Sequence, residues 1–137
     1  MLTNINEKSS FQNNINQAIY SIKSKKYDLA KMYLHAAMLE NDHSPEAYNL
    51  LGVISEYKGD VLLACKYYRA AYAFDPSFKP ADKNLEKLTS FFYKFNEANI
   101  DYGDNTINEY QKSHLIGCKT MYIGQFINNK VVTKSNY

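Results

Sequence analysis

The side chains that could do chemistry form three small groups. His114 and Cys118 are four residues apart, which on a helix would place a thiol beside an imidazole, as in a nucleophile and base pair. The sequence offers no third group at a spacing that would orient this pair. Asp42 and His43 fall at a turn and His35 falls within a helix, where capping, solvation or packing explains them. We therefore predict neither a catalytic site nor a metal site.

The sequence motifs do not indicate a cofactor site either. The chain has five glycines, and they form neither a G-x-G-x-x-G nor a Walker pattern. Cys65 and Cys118 belong to no C-x-x-C pair, so neither a zinc site nor a disulfide framework is indicated. Sixteen basic against fourteen acidic residues leave a net charge of only +2, which does not favour general binding to nucleic acid. We expect a protein that is not an enzyme and needs no cofactor.

Length and composition predict one compact domain in the cytoplasm. The chain has 137 residues, of which 45% are apolar, enough for a single core. Its first ten residues have neither the basic nor the apolar region of a secretory signal. No apolar run approaches the roughly 20 residues that span a bilayer. Unpaired cysteines fit a reducing compartment, and we expect no membrane partner.

A repeat of 34 residues runs through the chain. It pairs Ala18 with Gly52, Ser21 with Ser55, Ala30 with Ala64, Tyr33 with Tyr67, Ala36 with Ala70 and Ala37 with Ala71. The same offset then places Ala47 on Ala81 and Leu51 on Leu85, where a third, incomplete unit begins. Apolar residues at helical spacing within each unit predict two antiparallel helices joined by a short turn.

Local signals set the helix boundaries of the second unit. Ser44 can cap a helix from about Pro45 to Tyr57, with proline at its first position. Gly59 can adopt a positive φ between the two helices, and Asp60 can cap the second one. Pro76 closes the unit. The small Gly52 is predicted to lie where the two helices cross closely.

These residues resemble the tetratricopeptide repeat (TPR) family. The positions of the second unit that match its pattern are Leu51, Gly52, Gly59, Asp60, Ala64, Tyr68, Ala71 and Pro76. Tyr48 stands where the family usually has Trp, and Ser55 departs where Tyr is usual. The first unit matches in its second helix, at Tyr27, Ala30, Leu34 and Ala37. The resemblance implies an all-α fold, a short α-solenoid of antiparallel helix pairs with a C-terminal capping helix and a tail.

We divide the chain into an N-terminal extension (residues 1–10), a TPR-like helical repeat domain (11–96) and a linker with a C-terminal tail (97–137). The domain contains repeats at 11–44 and 45–78 and a capping helix at 80–96. In that helix an apolar stripe of Leu85, Leu88, Phe92 and Phe95 predicts packing on the second repeat. Phe91 and Tyr93 lie off the stripe and would leave aromatic surface exposed. The tail fits a helix from about Asn105 to Ile116, a hairpin around Asn128, or a disordered end, and it could dock on the aromatic surface or in a groove.

The resemblance also implies a binding surface. In this family the first helix of each repeat lines a concave groove that receives a peptide or helix of a partner protein. The matching positions here are Ile15, Ile19, Ile22, Asn49, Val53, Glu56, Tyr57, Lys83, Asn84 and Lys87. An apolar-anchored peptide with an acidic end fits them, because Lys83 and Lys87 can meet the acid. Alternatively, the three isoleucines are core residues of a shifted register and the lysines form a solvated face.

The expected function is therefore a non-catalytic adaptor or chaperone-like module that binds another protein. Self-assembly is the alternative, with two chains dimerising through a repeat end, the aromatic surface or the tail. Nucleic-acid binding by lysines with interleaved tyrosines ranks below both.

Overall fold

Five α-helices and one 3₁₀ turn make up the regular structure of residues 2–104, the part of the chain that the computed structural model describes. The helices are α1 (Leu2–Lys23), α2 (Tyr27–Glu40), α3 (Pro45–Tyr57), α4 (Val61–Phe74) and α5 (Lys79–Leu88), and the 3₁₀ turn is Glu97–Asn99. They pack in sequential antiparallel pairs, α1 on α2 and α3 on α4, with α5 on α4. Helices α1, α3 and α5 also contact one another in order, with α3 between the other two. The predicted all-α fold is confirmed.

The 34-residue repeat is present in the backbone as well as in the sequence. Helices α2 and α4 begin and end 34 residues apart. Lys25 and Gly59 occupy equivalent places in the two interhelical turns, and both adopt a left-handed conformation, with φ of 61° and 81°. The amide after each donates to a carbonyl five residues back, over 2.8 Å after Lys25 and 2.9 Å after Gly59. The two units are therefore repeats in structure.

The predicted bounds of helix α3 and the two predicted caps are confirmed. Helix α3 runs from Pro45 to Tyr57, and the Ser44 hydroxyl accepts a hydrogen bond from the Ala47 amide at 3.1 Å. The Asp60 carboxylate accepts one from the Leu63 amide at 3.0 Å. Both caps satisfy amides that have no partner within the helix.

One apolar core holds the helices together. Its buried members are Ile15, Ala18, Ile19, Ile22, Ala30, Leu34, Ala37, Ala47, Leu50, Leu51, Val53, Ile54, Ala64, Tyr68, Leu88 and Ile100. At the crossing of α3 and α4 the Tyr68 ring lies directly over Gly52. A Cβ atom on Gly52 would lie 2.5 Å from Tyr68 Cε1 and 2.6 Å from Cδ1. The predicted close crossing therefore depends on glycine.

The third unit differs from the prediction at its end. Helix α5 stops at Leu88, before the predicted end at Asn96. Phe92 does not extend the apolar stripe and is 85% exposed. Tyr93, predicted to lie off the stripe, packs against the core, and its hydroxyl donates to the Glu56 carboxylate at 3.0 Å. A turn after Leu88 makes this contact possible.

The chain then returns to the helices over residues 97–103, which we call the return segment. Its Ile100 is 7% exposed and belongs to the core. The compact unit that contains the helices ends at Gly103, so the predicted domain boundary at residue 96 falls inside it. The start of the predicted linker and tail (97–137) is thus, as far as Gly103, part of the helical unit, because Ile100 is buried there.

Helix α1 begins at Leu2, so no helix boundary separates residues 2–10 from the first repeat. Among the described residues, no helix combines the length and the hydropathy needed to cross a membrane. The alternatives for residues 105–137 lie outside the described residues, as do His114 and Cys118.

Candidate functional site

Two buried asparagines hold the backbone of the return segment. Asn49 of α3 and Asn84 of α5 are 0% and 1% exposed, and the Asn84 amide donates to the Asn49 side-chain oxygen at 3.0 Å. Both amides donate to the carbonyl oxygen of Asp101, at 3.0 and 2.8 Å respectively. The amide of Asp101 donates in turn to the Asn84 oxygen at 3.0 Å. The peptide groups on both sides of the Asp101 Cα are thus held by side chains.

Side-chain contacts surround this backbone clamp. The Asp101 carboxylate lies 3.8 Å from the Lys83 ammonium. The hydroxyls of Tyr102 and Tyr57 are 2.6 Å apart, within hydrogen-bond distance. The Lys23 ammonium lies 4.8 Å from the centroid of the Tyr102 ring, a cation–π contact. The return segment is therefore held through a charged group, a hydroxyl group and an aromatic ring as well as through its backbone.

Both ends of the return segment contact the rest of the unit. Gly103 has a φ of +83°, and a Cβ on it would lie 3.1 Å from Cζ of Phe78. Its amide donates to the Asp101 carboxylate at 2.9 Å. At the other end the Lys25 ammonium lies 3.2 Å from the Glu97 carboxylate, in a solvent-exposed pair. A side chain at the Gly103 position would be strained by the positive φ and would require the Phe78 ring to shift slightly.

The structure places the ten predicted groove residues in three groups. Four contact the return segment, namely Asn49, Tyr57, Lys83 and Asn84. Four are buried in the core, namely Ile15, Ile19, Ile22 and Val53, with exposures of 3%, 7%, 0% and 0%. The remaining two, Glu56 and Lys87, pair with each other. In this conformation the isoleucines present no open surface, and Lys87 meets an acid of its own chain.

Glu56 carries a completely buried carboxylate between three elements. It lies 2.8 Å from the Lys87 ammonium of α5. It accepts hydrogen bonds from the hydroxyl of Tyr68 of α4 at 2.7 Å and from that of Tyr93 at 3.0 Å. Burial and then the Glu56 charge raise the pKa of Tyr68 above its ordinary range, and burial and the hydrogen bond to Glu56 raise the pKa of Tyr93. This cluster joins α3, α4 and α5 and fixes the turn that leads to the return segment.

The raised pKa of Tyr68 predicts alkaline instability. The folded protein keeps a proton that the unfolded chain loses near pH 10, so this contribution is complete below pH 10 and is lost as the pH rises further. Urea unfolding above pH 10 should show a free energy of unfolding that falls more steeply in the wild type than in Tyr68→Phe, by up to about 1.4 kcal/mol per pH unit. Equal slopes would contradict the assignment.

The polar side chains of Asn41, Asp42 and His43 cap a turn between α2 and α3. Asp42 and His43 are neighbours in an exposed turn and contact each other at 2.5 Å. The Asn41 side chain accepts from the His43 amide at 3.1 Å, as a turn cap does. Within residues 2–104, no three histidine, cysteine or acidic residues lie close enough together to hold a metal ion.

Sequence reasoning missed the segment that Asn49 and Asn84 hold. Ile100, Asp101 and Tyr102 lie in a stretch that its polar composition marks as a linker. The available signal is Ile100, the only large aliphatic residue between Glu97 and Thr106.

Comparisons with protein-family models, with curated proteins and with solved structures find no match to this chain. The molecule is a five-helix domain, over its described residues, built from antiparallel helix pairs.

Proposed function

We propose that the chain is a TPR-like, non-catalytic module that binds an extended segment of a partner protein. Two observations support the TPR assignment: the backbone repeats every 34 residues, the length of a TPR unit, and each repeat is a helix–turn–helix. Helices α1, α3 and α5, the first helices of the successive units, contact one another in order, which is the arrangement that a groove requires.

The observation that carries the functional proposal is the backbone clamp at Asp101. Asn49 and Asn84 satisfy the carbonyl and the amide of Asp101. The residue before it, Ile100, is extended, with φ of −78° and ψ of 130°. Hydrogen bonds to the main chain do not depend on the side chain at that position, so they suit a groove that receives a segment of another protein. A small groove gives a modest affinity, because interfaces below about 1,200 Å² are mostly transient.

Self-assembly remains a second candidate because of one exposed feature. Phe91 and Phe92 are 93% and 85% exposed, and their rings pack edge to face with centroids 4.9 Å apart. The two rings together offer an exposed apolar surface to a second chain. A mass that rises with concentration in light scattering would favour this candidate.

Peptide selection tests the binding function. The bait is the full chain with Ile100→Asp, which disfavours docking of the return segment by placing a carboxylate in an apolar site, and the library displays random peptides. We expect enriched peptides whose affinity falls at least about tenfold when Asn49→Leu and Asn84→Leu are added, since the backbone clamp is then lost.

The matched control for this selection is Lys66→Gln on the exposed face of α4, which should leave peptide affinity unchanged. Circular dichroism verifies that every variant is helical. Failure to enrich any peptide, or enriched peptides that bind equally well without the two asparagines, would contradict the proposal.

A further inference from the structure

Resting on the proposed function, we infer that the partner segment presents an aliphatic residue, a carboxylate, a tyrosine and a glycine in succession, and that the return segment competes with it. The groove already contacts this series in its own chain, as Ile100, Asp101, Tyr102 and Gly103. Each position meets a different feature of the rest of the unit.

The first position selects an aliphatic side chain. Ile100 is 7% exposed and packs within the same core as the helices. A polar residue here would be buried without a partner, which is costly. This position anchors the segment, because burial of an aliphatic side chain is favourable in any sequence context.

The second position selects an acidic side chain. The Asp101 carboxylate is 17% exposed and lies 3.8 Å from Lys83, whose side chain is 54% exposed. The other carboxylate oxygen accepts from the Gly103 amide at 2.9 Å, which helps to turn the chain. A lysine in place of Asp101 would meet the Lys83 ammonium and could not accept that hydrogen bond. The Asn49 and Asn84 amides, meanwhile, hold the main chain whatever the side chain is.

The third and fourth positions select tyrosine and glycine. The Tyr102 hydroxyl lies 2.6 Å from that of Tyr57, and its ring faces the Lys23 ammonium. Phenylalanine would keep the ring contact and lose the hydroxyl contact. Gly103 combines a left-handed φ with the nearby Phe78 ring, so larger residues are disfavoured both by conformation and by contact.

Competition follows from the connection between α5 and the return segment. Eight residues, 89–96, separate the end of α5 from this segment. A ligand tethered by a short connection has an effective concentration of about millimolar, so a partner of similar chemistry binds weakly until the return segment is released. The wild-type chain should therefore bind such a peptide less tightly than a released chain does.

The test uses a fluorescent synthetic peptide with the sequence of residues 96–103, titrated into full-length chains and followed by anisotropy. We expect Ile100→Asp to bind it at least about tenfold more tightly than the wild type. A second release variant, Asp101→Pro, removes the amide that donates to Asn84 and leaves Ile100 in place, so the test survives if Ile100→Asp does not fold.

Peptide variants then examine each position on the released chain. Peptides with lysine for the aspartate, serine for the isoleucine or alanine for the glycine should each lose at least about tenfold in affinity, and phenylalanine for the tyrosine should lose less. If folded release variants bind the lysine peptide as tightly as the parent peptide, the inferred chemistry is overturned, whereas peptides selected from the random library would still support the binding function. If neither the parent peptide nor any library peptide binds, both proposals fail. Equal binding to wild-type and released chains would overturn the competition.

Discussion

Lys87→Met should lower the free energy of unfolding by about 3–5 kcal/mol, because it leaves a buried carboxylate without its cation. The Glu56 side chain is 0% exposed and lies 2.8 Å from the Lys87 ammonium. The hydroxyls of Tyr68 and Tyr93 still donate to it in the variant, but they supply no opposite charge. Urea unfolding followed by circular dichroism at neutral pH measures the change.

A double variant separates the charge from the loss of packing. Adding Glu56→Gln to Lys87→Met removes the unpaired charge, so the double variant should be more stable than Lys87→Met alone. Lys66→Met on the exposed face of α4 is the matched control and should change stability by no more than about 0.5 kcal/mol. If Lys87→Met behaves like Lys66→Met, the Glu56 cluster does not stabilise the fold as described.

Gly52→Leu should lower the free energy of unfolding by about 1–3 kcal/mol, because the crossing of α3 and α4 has no room for a side chain. Even the Cβ atom would lie 2.5 Å from the Tyr68 ring, which is completely buried. Relief would require the ring to move, and the Tyr68 hydroxyl would then lose its hydrogen bond to Glu56. Thermal and urea unfolding of the variant give the magnitude.

A smaller side chain at position 68 tests whether the Tyr68 ring causes the loss of stability. Gly52→Ala alone should lower the free energy of unfolding. Tyr68→Leu removes the ring that the new methyl group meets, so the double variant should lose less free energy of unfolding than the sum of the two single variants. Strict additivity would show that the Tyr68 ring is not what excludes a side chain from Gly52.

The fold of the second repeat could be predicted because its signals are local. Ser44 and Asp60 cap helices through hydrogen bonds to amides three residues away, and Gly59 sets the turn by its own conformation. The end of α5 could not be predicted in this way. It depends on Tyr93 reaching the Glu56 carboxylate, a contact between residues 37 positions apart.

The sequence predicted residues that contact the return segment but did not predict the return segment itself. Asn49, Lys83 and Asn84 were predicted from the resemblance to the TPR family. Asp101 did not, because its contacts join positions 17 and 52 residues apart and its neighbours are polar. Ile19 was predicted to line the groove and lies in the core. An apolar residue fits either place, and its burial depends on packing that the sequence does not reveal.

The most direct test of the binding function is a nuclear magnetic resonance titration of a library-selected peptide into the isotope-labelled full chain with Ile100→Asp. The side-chain amide resonances of Asn49 and Asn84 are observed, because these amides hold the Asp101 carbonyl oxygen in the wild type. We predict that both resonances shift saturably, with the dissociation constant found by anisotropy. Saturable binding of the peptide while both resonances stay in place would put the binding site elsewhere and contradict the account.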